Sequence, residues 1–179
     1  MSTFIKSKTA INLMKAFVGE SQARNRYTFY ARVAKKQGYF QIENTFNEIA
    51  ENELEHASIF YKKLIKYGIN DTTLTLTEEK CHVALFDTTL ENLKFAADGE
   101  KAEYLGTYPE FARIADEEEY HDIADTFRLI AKIEEEHEIK FLQLIHNLRE
   151  NTIFMKEGKM FCKCMKCGFL NENIEINDD

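Results

Sequence analysis

Apolar residues recur at helical spacing along most of this chain. From Phe4 to Lys36 they fall at Ile11, Met14, Phe17, Val18, Tyr27, Tyr30, Ala31 and Ala34, and Gly38 closes the segment, which predicts a first amphipathic helix. A second run goes from Gln41 to Tyr67 through Phe46, Ile49, Ala50, Ile59, Phe60 and Leu64, and stops at Gly68. Residues 69–87 then form a connection, polar and threonine-rich at first, with a short helix expected around Cys81 to Phe86. It is too long for a helix-hairpin loop and reads as a crossover. Thr88 followed by Glu91 has the form of a capping box and starts a third helix, running to about Glu118. A fourth spans about His121 to Arg149. One proline and seven glycines leave few helix breakers, so the predicted class is all-α.

The second helix pair repeats the first at an offset of 81 residues. Tyr27 falls on Tyr108, Ala31 on Ala112, Arg32 on Arg113, Phe46 on Phe127, Ile49 on Ile130, Glu53 on Glu134, His56 on His137 and Phe60 on Phe141. A repeat of this density implies a pseudo-twofold four-helix bundle. It has one slip, because Glu20 and Glu100 are only 80 apart. The third helix therefore carries an extra residue between its glutamate and its tyrosine, which a π-bulge absorbs, and Pro109 adds a cause for a kink. A bulge or kink is expected between Glu103 and Pro109.

The repeat also organises the chemistry. Each half holds a Glu-x-x-His, Glu53/His56 and Glu134/His137, whose two ligating side chains share a helix face. Each also has a lone upstream glutamate, Glu20 or Glu100. One carboxylate from each of two helices and a Glu-x-x-His from each of the other two is the ligand set of a dinuclear carboxylate site. Bridging glutamates would hold iron or manganese and leave positions open for dioxygen or peroxide. A lone Glu-x-x-His on a solvated face would mean little in so glutamate-rich a chain, and the paired copies are what lift the signal. His82, His121 and His146 have no matched partners and read as surface or packing residues.

Composition narrows the alternatives. A net charge of −8 without a basic stripe argues against a nucleic-acid surface. No uncharged apolar run approaches the roughly 20 residues of a membrane span, and the first residues lack the apolar stretch of a secretory signal. A cytoplasmic protein is expected. Three of the four cysteines crowd at Cys162, Cys164 and Cys167, a metal or redox spacing rather than a disulfide framework.

Four stretches, Gly19 to Tyr27, Glu53 to His56, Gly99 to Tyr104 with Tyr108 to Ala112, and Glu134 to Glu138, resemble rubrerythrin, a non-haem di-iron family of the ferritin-like superfamily. The resemblance covers nearly the whole chain. It implies a ferritin-like four-helix bundle over residues 1–150, with the long crossover between its second and third helices. It also implies a metal set of Glu20, Glu53, His56, Glu100, Glu134 and His137, joined by Glu103, which has no carboxylate counterpart in the repeat. The activity implied is reduction of hydrogen peroxide to water at a di-iron centre, in defence against oxidative stress. His56 and Glu103 are then the catalytic pair, exchanging as ligands of one iron between its reduced and oxidised states. Tyr27 and Tyr108 either hydrogen-bond ligand carboxylates or only pack in the core. A homodimer and an external electron donor, rubredoxin or an NAD(P)H-dependent reductase, are the expected partners.

Residues 151–179 change character. Cys164-x-x-Cys167-Gly168 resembles the first knuckle of a rubredoxin, and the second knuckle is absent. Three readings stay open: Cys164 and Cys167 pairs pooled between two chains around a further iron or zinc, a thiol redox couple, or a metal-free remnant. Two other functions compete with the peroxidase: a ferritin-like iron-binding ferroxidase using dioxygen, and an acidic helical scaffold without metal.

Overall fold

The structure is a computed structural model, described for residues 3–71, 73–76, 83–156, 159–163 and 169–172. A 3-10 turn, Thr3–Lys6, leads into α1 (Lys8–Lys36) and α2 (Phe40–Lys66). After the crossover come α3 (Thr89–Ala102), a π-helical segment (Glu103–Thr107), α4 (Tyr108–Glu117) and α5 (His121–Arg149). Three short antiparallel strands follow in the order β1 (Met155–Lys156), β2 (Lys159–Lys163) and β3 (Leu170–Glu172). The architecture is the expected ferritin-like bundle, and the π segment lies where the one-residue slip requires it. Among the described residues no helix is long and apolar enough to cross a membrane.

The helix ends follow from local chemistry. Ser7 caps α1 by accepting from the Ala10 N–H at 3.0 Å. The Glu118 carboxylate, just past the end of α4, accepts from the N–H groups of Lys8 and Thr9 at 3.0 and 2.8 Å, placing a negative charge on the positive end of α1. At the other end of α1, Gly38 takes φ +84°, so that its N–H reaches Lys35 O and the Tyr39 N–H reaches Ala34 O. Gly68 ends α2 in the same way at φ +85°. Glu119, the repeat counterpart of Gly38, closes α4 with the same pair of bonds at φ +66° without being a glycine.

The short helix expected around Cys81 to Phe86 does not form in its described part: Val83–Phe86 has no regular structure, and Cys81 and His82 lie outside the described residues. The backbone here is satisfied by side chains instead. Tyr30 Oη donates to Ala84 O at 2.8 Å, while the Asn92 amide brackets Phe86, accepting from its N–H at 3.0 Å and donating to its C=O at 2.9 Å. A segment this short cannot meet the cost of helix nucleation against such bonds. The Thr88 cap of α3 does form, its hydroxyl accepting from the Glu91 N–H.

Two apolar cores fill the bundle, each built on the same aromatic triad. Tyr27, Phe46 and Phe141 meet at centroid separations of 5.3–6.0 Å in one, and their counterparts Tyr108, Phe127 and Phe60 meet at 5.3–6.0 Å in the other. Each triad mixes side chains from both halves of the repeat. The two cores are distinct clusters, and buried charged residues occupy the middle of the same four helices.

Candidate metal centre

Glu20 from α1, Glu53 and His56 from α2, Glu100 from α3, and Glu134 and His137 from α5 converge in that middle layer, none more than 4% exposed. They form two overlapping sets of potential ligand atoms, each set within 4.8 Å: Glu20, Glu53, His56 and Glu134, and Glu53, Glu100, Glu134 and His137. Glu53 and Glu134 belong to both. Their oxygens divide between the histidines: His56 Nδ1 lies 3.3 Å from Glu53 Oε2 and 3.0 Å from Glu134 Oε1, and His137 Nδ1 lies 3.1 Å from Glu53 Oε1 and 2.8 Å from Glu134 Oε2. The layout is that of two adjacent cation positions with two carboxylates spanning them.

Whether the residues fit a metal can be tested on their unmet bonding. Glu20 Oε2, both oxygens of Glu53, both of Glu134 and the Nδ1 atoms of His56 and His137 are buried with no hydrogen-bond partner among the described residues. Four carboxylates and two imidazoles buried with so many orphaned atoms cost several kcal/mol unless cations bind them. Oxygen and imidazole donors suit a borderline first-row cation. The residues fit.

Without cations, protons must answer the crowding. Burial, followed by Glu53 beside them, pushes the Glu20 and Glu100 carboxyls well above the usual range. Burial would raise Glu53 too, but the protonated neighbours it faces, Glu20, His137 and His56, outweigh that and hold it low. Burial works against a charged His137, yet Glu134 and Glu53 push it up to about 9, and the same balance drives His56 higher still. The tyrosines settle the question left open for them. Tyr27 Oη donates to Glu100 and Tyr108 Oη to Glu20, and burial, then the adjacent carboxylate, raises both phenols so that they stay donors.

Glu103 is placed beside this cluster and outside both sets. It opens the π segment, one turn after Glu100 on α3. It is partly buried, on the wall of a cavity of about 600 Å³ shared with Lys15, Gly19, Gly106, Tyr108 and Phe111. Burial, then the charges of Glu134 and Glu53, pushes its carboxyl up to about 8.

Two further contacts adjoin this layer, and neither was expected from the ligand spacing. The Asn52 amide lies 3.2 Å from His137 Nε2, and Tyr104 Oη donates to Glu138 at 2.8 Å, joining the π segment to α5. The unmatched histidines behave as surface groups where described: His121 pairs with Asp116 at 2.9 Å and His146 is exposed. Cys164 and Cys167 lie outside the described residues, and Cys162 is in β2.

A four-helix bundle with paired Glu-x-x-His helices around a buried carboxylate layer defines a ferritin-like metalloprotein. Known proteins agree. A family model described as Rubrerythrin matches residues 12–145. Rubrerythrin-1 of Clostridium acetobutylicum is 48% identical over 96% of this chain and 87% of its own length, and rubrerythrin of Clostridium perfringens is 45% identical over 98% and 89%. The solved structure of nigerythrin in a mixed-valence state superposes with a TM-score of 0.70 at 28% identity, covering 94% of this chain and 81% of that one. An open-pore ferritin from Archaeoglobus fulgidus shares the fold, with a TM-score of 0.66 at 18% identity. The chain belongs to the rubrerythrin family. Family and buried cluster together define an iron-binding protein of the oxidoreductase class.

Proposed function

We propose that this protein is a non-haem di-iron peroxidase that reduces hydrogen peroxide to water. The observation that carries the reading is the pairing of a two-position ligand layer with Glu103, a carboxyl held just outside it on a cavity wall. Glu20 and His56 would hold one iron, Glu100 and His137 the other, and Glu53 and Glu134 would span both. Two ferrous ions, when bound, supply the two electrons that cleave the O–O bond, one from each ion. Glu103 has two duties in this reading. It would deliver one of the two protons that peroxide reduction consumes, and as an anionic oxygen it would suit a harder oxidised cation better than the neutral His56 does. Tyr27 and Tyr108 orient Glu100 and Glu20 from behind.

The proposal extends to the setting: a cytoplasmic homodimer, defending against oxidative stress, with electrons delivered by rubredoxin or an NAD(P)H-dependent reductase. The Cys164/Cys167 pair would add a further iron or zinc site shared between two tails. Stopped-flow oxidation of the reduced, iron-loaded protein tests the central claim. Oxidation by peroxide well ahead of dioxygen is expected; equal rates would favour the ferroxidase.

A further inference from the structure

We infer that Tyr104 is a positioning residue, whose bond to Glu138 clasps the π segment to the turn of α5 that carries His137, so that Glu103 moves as a side chain on a fixed backbone. The inference deepens the function proposed above and rests on it for the part that Glu103 plays.

The π segment needs an anchor because its own residues pack little. None of its five residues, Glu103 to Thr107, is fully buried, and Leu105 and Gly106 are exposed. A π turn also gives up the regular α-helical bonding pattern. Thr107 Oγ1 stays within the local chain, donating to Ala102 O at 3.4 Å. Tyr104 instead crosses to α5. Its hydroxyl donates to Glu138 Oε2 at 2.8 Å, and Lys101 Nζ lies 3.9 Å from the other oxygen of the same carboxylate. Glu138 is 7% exposed, so little water competes for the bond it accepts. Tyr104 directly follows Glu103, and Glu138 directly follows His137. One hydrogen bond thus links the backbone beneath Glu103 to the backbone beneath a member of the clustered layer.

The first half of the repeat is built differently. Ala57 occupies the place of Glu138, and Ala23 that of Tyr104 in the register that aligns Tyr27 with Tyr108. Both alanines are buried, and neither side chain can donate or accept a hydrogen bond. There α1 runs unbroken from Lys8 to Lys36. The clasp therefore accompanies the bulge, in the half that carries Glu103. With the backbone held, the cavity of about 600 Å³ beside Glu103 gives its side chain room to turn about its own bonds.

Amide hydrogen exchange on the metal-free full chain tests the clasp without turnover. In Tyr104→Phe, exchange over residues 103–108 should speed up about 10-fold, the scale of one lost hydrogen bond, with α1 unchanged. Glu138→Ala should match it, and the double variant should exchange no faster than either. Glu138→Gln, which keeps an acceptor, should retain most of the wild-type protection. In the iron-loaded protein, Tyr104→Phe should lower kcat for peroxide about 10-fold with KM unchanged, because Glu103 is misplaced rather than lost. The inference is overturned if Tyr104→Phe exchanges like wild type, if exchange rises equally in α1, if Glu138→Gln exchanges like Glu138→Ala, or if kcat does not move. A wild type oxidised equally fast by dioxygen and by peroxide overturns the function proposed above instead, a distinguishable result, because the exchange measurement needs no metal.

Discussion

The Tyr27 hydroxyl on α1 donates to Oε1 of Glu100 on α3, across the bundle rather than along its own helix. Tyr108 makes the reciprocal bond to Glu20. Each lone glutamate is thus held by the tyrosine of the other half. Tyr27→Phe leaves a buried carboxylate oxygen without its donor and should cost about 1–3 kcal/mol in the metal-loaded protein. Tyr108→Phe should cost the same within experimental error. Denaturant unfolding of both variants checks this, and a large inequality would contradict the pseudo-twofold arrangement.

Glu53 and Glu134 each belong to both ligand sets, while Glu20 and Glu100 belong to one each. Glu53→Ala should therefore drop metal content from two per chain to none, whereas Glu20→Ala should leave one. Elemental analysis after iron-replete purification separates the two outcomes.

Glu103 lies outside both sets, so Glu103→Gln should still load metal. Peroxide turnover should nevertheless fall by about 10²-fold, the scale of a lost proton donor. Steady-state kinetics alongside metal content is the check; a variant that turns over normally would remove Glu103 from the chemistry.

The two ends built alike on different residues make a stability test. A Cβ added at Gly38 meets no atom within 4 Å, so the cost of Gly38→Ala comes from its φ of +84° alone and should be about 1 kcal/mol. Glu119→Gly relieves the same strain at φ +66° and should stabilise by about 0.5 kcal/mol. Thermal melts should move in opposite directions.

Asp122 opens α5 beneath Lys63, Lys66 and Tyr67. Burial raises its carboxyl, but the bonds from Lys66, Tyr67 and Lys63 outweigh burial and hold it below the usual range. A depressed folded pKa binds fewer protons than the unfolded chain, so this contribution is present above about 3.9 and is lost as pH falls below it. Tyr67 has the opposite sign: Asp122, then burial, pushes it up to about 12, so its contribution is present below about 10 and is lost as pH climbs through 12. Asp122→Asn should flatten both limbs of the metal-free protein's stability–pH curve, read by denaturant midpoint.

Much of this was legible in the sequence because the repeat writes the structure twice. Phe46 with Phe127 and Phe60 with Phe141 fixed which faces pack, and the slip between the Glu20/Glu100 and Tyr27/Tyr108 spacings located the π segment to within two residues. What escaped depends on contacts between helices. Asn52 looks like any exposed helix polar residue until the α2–α5 register is known. Glu103 lies one turn after Glu100 and so reads as one more ligand, and only the packing of the helices sets it outside both ligand sets, on the cavity wall. Val83–Phe86 has helix-compatible residues, and its backbone is claimed by Tyr30 and Asn92 from distant positions.

The π segment also bears on ancestry. A helix pair duplicated without change would give a site whose two halves are chemically identical, with no basis for one ligand to move and its mate to stay. One residue added to α3 after such a duplication is enough to produce Glu103–Thr107 as it stands. On this account the bulge is the scar of an insertion, and under the proposed function it is what sets the two copies of the same ligand-bearing unit apart.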